Sequence, residues 1–455
     1  MSDMAARPVT KEQRAWYYYD WANSAYVTTT AAVLFSPYLT SVAEKAACGF
    51  VGDDDRSCDA NLDVLGIGIS PGSLVFYLVP IITVISAIVL PIVGAMADRV
   101  ADKRKLMSIF AWIGSATAAS MFFVAGDNWQ LGAFLLLVAN LALASSLVIY
   151  DAILIDISTP DERDKISSRG WALGYLGGGL LLAANFLLLS FNEDLGLSTA
   201  MAVRICLVTA GVWWAVFTII PFRGLRAHAP TNLVATSGDT LLQRSFGQLW
   251  ATLKDLKNYP QTLTFLVAYL IYNDAVQTVI YAASIFGDKE LGFETSTVLV
   301  AFLVVQFVGV AGALFFGRVA QRVGTKKTIS ITLLIWMVVV VCGFALPAHK
   351  LALFLLLAAG IGLVLGGTQA LSRSFYSQLI PRGREAEYFS LYQATERGTS
   401  WLGLLLFGVT YQLTDSYRPA ILALVVFFVL GLLILSRLRV REGIEQAGNR
   451  VPAVI

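Results

Sequence analysis

The chain has 455 residues, of which 57% are hydrophobic and 14% are charged, and its mean hydropathy is +0.68. Soluble domains average roughly 45–50% apolar and about 25% charged residues, so this composition excludes an ordinary soluble protein and indicates a chain embedded in a lipid bilayer. The formal net charge of +2 gives no indication of a nucleic-acid partner.

Apolar runs of about 17–25 residues, the length that crosses a bilayer, recur along the whole chain. They lie near residues 16–40, 71–97, 106–125, 131–156, 171–191, 200–221, 261–287, 296–317, 328–346, 351–379, 388–412 and 419–436. The runs are continuously apolar, whereas the strands of a membrane barrel alternate over about ten residues. The sequence therefore predicts an all-α integral membrane protein with twelve transmembrane helices.

Lysine and arginine residues concentrate on one side of these predicted spans. If both termini are inside, the cytoplasmic side receives the cluster from Arg99 to Lys105 and the tail from Arg437, whereas the outer side keeps few cations, such as Lys289 and Lys350. The positive-inside rule then predicts a multi-pass protein of an inner or plasma membrane with cytoplasmic N- and C-termini. The polar first fifteen residues lack the plan of a cleaved signal, so the first span is expected to direct insertion.

Two stretches at corresponding places indicate an internal repeat. Residues 94–104 read GAMADRVADKR after the second span, and residues 317–327 read GRVAQRVGTKK after the eighth. Two parallel six-helix halves with binding groups near the midplane are the plan of a secondary transporter.

The polar interruption between the sixth and seventh spans divides the predicted halves. The expected domains are an N-terminal six-helix bundle at 1–221, a cytoplasmic linker at 222–258, a C-terminal six-helix bundle at 259–437 and a cytoplasmic tail at 438–455. Leucine and aromatic residues recur at helical spacing in the linker, which predicts an amphipathic helix lying on the membrane surface.

The stretch that begins at Gly94 resembles motif A of the major facilitator superfamily, G-x-x-x-D-R-x-G-R-R. The resemblance implies two pseudo-symmetric bundles and a gate formed by Gly94, Asp98, Arg99, Gly317 and Arg322. Ordinary positive-inside loop charge is the alternative interpretation. The second copy has Gln321 in place of the aspartate, which weakens the case for a charge lock there.

Other segments resemble one branch of that superfamily. They are YDWANSAY at 19–26, DISTPDER at 156–163, GWALGYLGG at 170–178 and IPRGREAEYF at 380–389. The branch contains the fungal autophagy-related vacuolar amino acid effluxers and bacterial relatives of unknown substrate. The resemblance covers nearly all of the membrane region and implies export of small solutes, with amino acids as the best characterised cargo. Together with the two six-helix halves, it predicts a secondary active exporter of an amino acid or similar solute that works by alternating access, with a proton or solute gradient as the drive.

Ionisable and polar side chains within the spans are the candidate site residues, because such groups are costly in lipid and mark function by default. The predicted substrate or proton pathway comprises Asp20, Asn23, Tyr26, Asn140, Asp151, Tyr272, Asn273, Asp274, Gln277, Gln369, Arg373, Glu396 and Arg397. Asp20 either faces a cavity or caps the start of its helix. An interfacial aromatic belt, rather than contact with a ligand, is expected of Trp16, Tyr17, Tyr18 and Trp21.

The predicted pathway depends mainly on two charged residues of the second half, Asp274 and Arg373. Asp274 has apolar turns on both sides, so capping is a poor explanation and a substrate or proton site is favoured. Arg373 requires an anion if it is buried, and the candidates are Asp151, Asp274 and the carboxylate of a substrate. Asn140 also has the alternative of a packing hydrogen bond between helices.

Several expectations concern what the chain lacks. No nucleotide-binding G-x-x-x-x-G-K-[ST] pattern, catalytic motif or cluster of metal ligands occurs, so we expect no cofactor, no metal and no enzymatic activity. The expected partners are a small-molecule substrate, a proton and the lipid bilayer, with the chain acting as a monomer. Cys48 and Cys58 share the first outer loop and can form a disulfide if that loop faces an oxidising compartment.

Two rival functions remain. A transport-inactive sensor or regulator with the same fold would bind a ligand without moving it. An intramembrane enzyme or lipid scramblase would need a catalytic dyad or a lipid-sized lateral opening, and the sequence offers no convincing dyad.

Overall fold

A computed structural model describes residues 9–51, 58–64, 66–228, 252, 254–398 and 400–455, without the side chains of residues 295, 397, 398, 400 and 401. That part of the chain is almost entirely helical. Its strands are β1 (Leu62–Val64) and β2 (Ile67–Ile69), which pair antiparallel as a short hairpin. Ten helices in the described part are long and apolar enough to cross a membrane.

The first half of the chain supplies helices α1 to α7. Their bounds are α1 (Lys11–Ala25), α2 (Phe35–Cys48), α3 (Leu74–Ala97), α4 (Lys103–Ser120), α5 (Trp129–Asp156), α6 (Arg163–Ser190) and α7 (Thr199–Gly224). The π-helical segment Tyr26–Leu34 joins α1 to α2, and single 3-10 turns at Pro71–Ser73 and Met121–Phe123 lie beside α3 and α4.

The second half of the chain supplies helices α8 to α16. Its helices are α8 (Pro260–Ile285), α9 (Thr295–Val323), α10 (Thr325–Phe344), α11 (Leu351–Gln378), α12 (Glu385–Gly398), α13 (Ser400–Thr414), α14 (Tyr417–Ala423), α15 (Val425–Arg437) and α16 (Val440–Gln446). A 3-10 turn at Leu256–Asn258 precedes α8 and a π-helical turn at Phe286–Glu290 follows it. The expected linker helix lies largely outside the described residues.

The first span starts earlier than predicted. The Thr10 side chain accepts a hydrogen bond from the Gln13 backbone, and the Gln13 side chain accepts one from the Thr10 backbone, which together form a capping box. Such a box satisfies two amide groups at a helix start. The helix therefore begins at Lys11 rather than near residue 16, and Asp20 lies in its third turn, where it does not cap the helix.

Within each half, neighbouring helices approach so closely that only glycine fits. A Cβ atom on Gly211 of α7 would lie 2.5 Å from the backbone nitrogen of Ala119 on α4. In the second half, a Cβ atom on Gly312 of α9 would lie 2.1 Å from the carbonyl oxygen of Leu363 on α11. These contacts join backbone directly to backbone inside each bundle.

The two ends of the bundle differ. At one end, Gln13 Nε2 donates to the carbonyl of Ile157 at 2.9 Å, and the backbone nitrogen of Ala453 donates to Asp161 at 2.7 Å. We call this end the terminal face, because the first and last described residues lie there. At the opposite end, beyond α2, a disulfide joins Cys48 and Cys58.

Candidate functional site

A buried ion cluster lies between the two halves of the chain. Arg373 of α11 approaches Asp20 of α1 (Nη2 to Oδ2, 3.0 Å) and Asp151 of α5 (Nη1 to Oδ1, 3.4 Å). All three side chains are buried. The first half therefore provides two anionic partners for Arg373. Asp274 is not among the partners of Arg373 in the described part.

Further polar groups hold the cluster in place. Arg373 Nε donates to Ser167 Oγ on α6 at 3.0 Å, and Nη2 donates to the carbonyl oxygen of the same residue at 3.1 Å. Gln393 of α12 donates through Nε2 to Asp151 Oδ2 at 2.8 Å. Arg373 and Gln393 belong to the second half, whereas Asp151 and Ser167 belong to the first, so every one of these contacts crosses the boundary.

Aromatic rings surround the guanidinium of Arg373. Its central carbon lies 4.9 Å from the ring centroid of Trp16, 5.3 Å from that of Tyr150 and 5.4 Å from that of Trp171. Aromatic faces attract cations, more strongly where water is absent. The predicted interfacial belt is wrong for Trp16, which is fully buried and donates its indole N–H to the carbonyl of Tyr150.

Asp98, the carboxylate of the first motif A copy, contacts the other half nearer the terminal face. Its two oxygens accept hydrogen bonds from the backbone nitrogens of Ala386 and Glu387, each at 2.9 Å. These nitrogens lie in the first turn of α12, where amide groups lack helical partners and favour negative charge. Burial raises the pKa of Asp98 to about 7, against the opposing effect of Lys103 and the two backbone donors.

The glycine of the same motif permits this contact. A Cβ atom on Gly94 would lie 2.6 Å from the carbonyl oxygen of Ala386, so any larger residue would push α3 away from α12. Gly317 occupies the matching place in the second copy, where a Cβ atom would lie 2.3 Å from Ser168 Oγ on α6. Arg99 and Arg322 are exposed.

Asp164 is a functional candidate that the sequence analysis missed. It lies at the start of α6, is buried, and accepts hydrogen bonds from Ser374 of α11 and from Thr325 of α10. The second motif A copy lacks its own aspartate at Gln321, and Asp164 reaches the start of α10 from the opposite half. The charge-rich stretch around residues 161–165 was the only available signal.

A second cluster of polar side chains lies inside the C-terminal half. Tyr272 shares a hydrogen bond with Ser372 at 2.6 Å, and Gln369 Nε2 donates to Asn273 Oδ1 at 3.0 Å. Asn273 in turn donates to the backbone carbonyl of Glu396 at 3.3 Å. Predicted pathway residues of α8, α11 and α12 therefore come together. Asp274 lies beside them, fully buried, and the side chain of Arg397 lies outside the described part.

Other predicted pathway residues bond within their own helices or pack elsewhere. Asn23 donates to the carbonyl of Tyr19, and Asn140 donates to the carbonyl of Leu136. Tyr26 stacks on Trp214 with ring centroids 5.3 Å apart. Gln277 is half-buried on α8. Asn23 and Asn140 therefore bond to the backbone of their own helices, and Tyr26 packs on α7.

The contacts between the two halves change in character along the bundle. Near the middle of the bundle, Gln306 Nε2 of α9 donates to Thr28 Oγ1 at 2.9 Å across the boundary. Farther toward the opposite end, an apolar pocket lies between the halves, lined by residues such as Leu182, Leu189, Leu299 and Leu303. Among the described residues, the halves are therefore joined by polar contacts on the terminal side and meet through apolar side chains beyond.

This distribution defines what the arrangement can do. When two bundles separate, the charged and hydroxyl side chains between them can form hydrogen bonds with water in place of their protein partners. The close backbone contacts inside a bundle have no such replacement. Separating the halves at the terminal face would expose the Arg373 cluster, Asp98 and Asp164 together. In transporters built from two bundles, rocking motion exchanges contacts at a boundary of this kind.

Comparison with solved structures gives the same architecture. A bacterial homologue of the iron transporter ferroportin, solved in an outward-facing state, aligns with a TM-score of 0.63 and 13% identity over 94% of this chain and 98% of its own. The human organic anion transporter MFSD10 (TETRAN) aligns with a TM-score of 0.63 and 13% identity over 94% and 99%. The fold is that of major facilitator transporters, as predicted.

Sequence comparison identifies closer relatives. An uncharacterized MFS-type transporter of Bacillus subtilis, YxiO, is 29% identical over 94% of this chain and 94% of its own. Autophagy-related protein 22-2 of Aspergillus niger is 25% identical over 93% of this chain and 84% of its own. These relatives are transporters or carry an effluxer family's name, which confirms the prediction of a multi-pass membrane transporter rather than an enzyme.

The family model described as vacuole effluxer Atg22 like matches residues 9–448, nearly the whole chain. The chain therefore belongs to the Atg22-like effluxer family, as the motifs at residues 19–26 and 156–163 indicated.

Proposed function

We propose that this protein is a secondary active exporter of a small solute, with amino acids or similar molecules as the cargo class, that works by alternating access. The observation that carries the proposal is the buried Arg373 cluster between the two halves, in a chain of an effluxer family. Burying an arginine with two carboxylates carries a large desolvation cost, and ionisable groups inside membrane segments mark functional sites. The Arg373 cluster joins the two halves, so its ion pairs must separate when the halves move apart.

The proposed cycle begins from the closed terminal face. Asp20 and Asp151 hold Arg373, while Asp98 holds the start of α12. Opening of the terminal face releases Arg373 to water or to the carboxylate of an incoming solute, because guanidinium binds carboxylate groups with two parallel hydrogen bonds. Return to the closed form restores the protein partners and leaves the solute on the opposite side.

The charge distribution along the sequence supports an orientation. We propose that the terminal face is cytoplasmic, since it carries the cation-rich segments that the positive-inside rule keeps inside. The disulfide between Cys48 and Cys58 then lies on the outer side of an inner or plasma membrane, where oxidised cysteines persist. A gradient of protons or of another solute is the proposed drive, and the chain is proposed to act as a monomer.

Counterflow in proteoliposomes tests the proposal. Purified protein is reconstituted, the vesicles are loaded with an unlabelled amino acid mixture, and uptake of each labelled amino acid is followed. We expect counterflow for at least one cargo, loss of it in Arg373→Gln, and unchanged counterflow in Lys350→Gln, whose side chain is exposed at the opposite end.

A parallel thermal-shift screen against amino acids, peptides, sugars and nucleosides separates the rival function. A ligand that binds the folded state raises its apparent stability. Ligands that stabilise the protein but show neither counterflow nor accumulation would overturn the exporter proposal in favour of a sensor or regulator.

A further inference from the structure

Residues of the first half bind all the N–H groups of the Arg373 guanidinium. Nη1 donates to Asp20 Oδ1 and to Asp151 Oδ1, both at 3.4 Å, and Nη2 donates to Asp20 Oδ2 at 3.0 Å. Nε donates to Ser167 Oγ at 3.0 Å, and Nη2 also donates to the carbonyl oxygen of that residue at 3.1 Å. These acceptors on α1, α5 and α6 match the number of N–H groups that a guanidinium carries.

Aromatic rings of the same half enclose this group. The ring centroids of Trp16, Tyr150 and Trp171 lie 4.9, 5.3 and 5.4 Å from its central carbon. Trp16 and Tyr150 also stack on each other with centroids 4.2 Å apart, and the Trp16 indole donates to the Tyr150 carbonyl. This pair of contacts lies inside the first half and does not involve Arg373. We call the whole set the guanidinium pocket: Asp20, Asp151, Ser167, Trp16, Tyr150 and Trp171.

A glycine of α6 makes room for the bound group. A Cβ atom on Gly170 would lie 3.1 Å from Arg373 Nη2 and 2.5 Å from Asp20 Oδ2. Alanine there would press both on the cation and on the carboxylate that binds it. Gly170 follows Ser167 by three residues, so the two lie on the same face of α6. The backbone of α6 therefore borders the guanidinium pocket directly.

The present occupant of the pocket belongs to the other half of the chain. Arg373 lies on α11, so opening of the terminal face in the proposed cycle withdraws its guanidinium from α1, α5 and α6. Asp20 and Asp151 then lose their cation, and a charge left without its partner is costly unless water or another cation replaces it. Guanidinium fits such a pocket better than ammonium does, because it is planar, stacks on aromatic rings and binds a carboxylate through two parallel hydrogen bonds.

We propose that the guanidinium pocket binds the side chain of a guanidinium-bearing solute, which takes the place of Arg373 when the terminal face opens. A carboxylate on the same solute then pairs with Arg373 across the boundary. The cargo class narrows to amino acids that carry a guanidinium group, with arginine as the probe. This inference rests on the proposed function in one respect, the opening of the terminal face, whereas the fit of the pocket to guanidinium does not depend on transport.

Arg373→Ala empties the pocket, so binding can be measured without transport. Thermal stability of the purified variant is followed as methylguanidinium chloride or methylammonium chloride replaces choline chloride at constant ionic strength. We expect saturable stabilisation by millimolar methylguanidinium, because a ligand of the folded state raises its stability. The apparent affinity for methylammonium should be weaker by roughly tenfold or more.

Three controls connect this stabilisation to the pocket. Adding Asp20→Asn to Arg373→Ala should abolish it, because the bidentate acceptor is lost. Adding Asp194→Asn instead, at an exposed carboxylate, should leave it intact. The unmodified protein should respond more weakly than Arg373→Ala does, since its own arginine competes for the same place.

Counterflow of arginine and citrulline tests the cargo class on the unmodified protein. The two molecules have nearly the same shape, but citrulline carries a neutral urea in place of the guanidinium. We expect arginine counterflow to exceed citrulline counterflow by roughly tenfold or more. Gly170→Ala should lower this ratio, which does not depend on how much protein folds. Gly408→Ala, where a methyl group would meet no atom within 4 Å, should leave the ratio unchanged.

Each outcome decides one proposal. Methylguanidinium that stabilises Arg373→Ala no better than methylammonium, or equally well with Asp20→Asn added, would refute the pocket. Counterflow of other amino acids with arginine no better than citrulline would refute the cargo class and leave the proposed export standing; this test remains decisive if Arg373→Ala does not fold. Stabilisation by methylguanidinium without counterflow of any amino acid would overturn the export and leave the pocket standing.

Discussion

Replacement of Arg373 by glutamine tests whether the ion cluster holds the terminal face closed. The variant leaves the carboxylates of Asp20 and Asp151 buried at the boundary without their cation. Removing one partner of a buried ion pair costs about 3–5 kcal/mol. An open terminal face escapes this cost because water reaches the carboxylates. At about 1.4 kcal/mol per tenfold change in an equilibrium constant, the open form should gain roughly 10²- to 10⁴-fold.

Distance measurements between spin labels on the two halves report that shift. Lys105 and Lys327 are exposed at the terminal face, one on each half, and accept labels as cysteine variants in a background where the exposed Cys342 is serine. In lipid nanodiscs, electron–electron double resonance should give one short distance for the parent and a longer, dominant distance for Arg373→Gln.

A charge-free version of the cluster provides the control. Combining Arg373→Gln with Asp20→Asn and Asp151→Asn removes the unpaired charges, so the distance distribution should return toward that of the parent, because neutral polar groups are far less costly to bury. An unchanged distance in the single variant, or an equally long one in the triple variant, would refute the role assigned to the cluster.

Three further predictions use the same labels or simple stability assays. Burial raises the pKa of Asp98 to about 7 in the closed form, above the roughly 3.9 of an exposed aspartate. Protonation of Asp98 therefore stabilises the closed form relative to the open form; this stabilisation is complete below about pH 4 and is lost as the pH rises through 7. The distance between the labels should depend on pH accordingly, and Asp98→Asn should flatten that dependence. Ala453→Pro removes the amide that donates to Asp161 and should weaken closure by about 1 kcal/mol, whereas Ala453→Gly should not; equal effects of the two variants would contradict the hydrogen bond. Reduction of the Cys48–Cys58 disulfide, or Cys48→Ser, should make the loop between these two cysteines more sensitive to proteolysis, since closing a short loop stabilises by up to about 3 kcal/mol. Equal cleavage rates with and without reductant would count against this prediction.

The helical architecture follows from the sequence because its signal is local. Each apolar run is long enough to cross a bilayer, and in lipid such a run must satisfy its backbone as a helix. The start of α1 was misplaced because polar residues from Lys11 to Arg14 dilute the hydropathy, although the capping pattern between Thr10 and Gln13 was present. The hairpin at residues 62–69 has no comparable hydropathy signal.

The site was less predictable because its contacts join residues far apart in the chain. The sequence showed that Arg373 needs an anion and offered Asp151 as one candidate, but the geometry adds Asp20. Trp16 satisfies every pattern of an interfacial aromatic and yet packs on the guanidinium. Asp164 resembles loop charge until its partners on α10 and α11 are known. Helix packing, rather than composition, decides these pairings.

The glycine contacts at Gly211 and Gly312 set the mechanical character of the molecule. Because backbone lies against backbone there, a sliding motion inside either bundle would bring backbone atoms into repulsive contact. The boundary between the bundles carries hydroxyls and charges, which water can replace. In the proposed cycle each bundle therefore moves as a stiff body and the boundary between the bundles yields, so we expect the motion to follow one rocking coordinate. Enlarging either glycine should loosen a bundle and divert that motion into unproductive deformation.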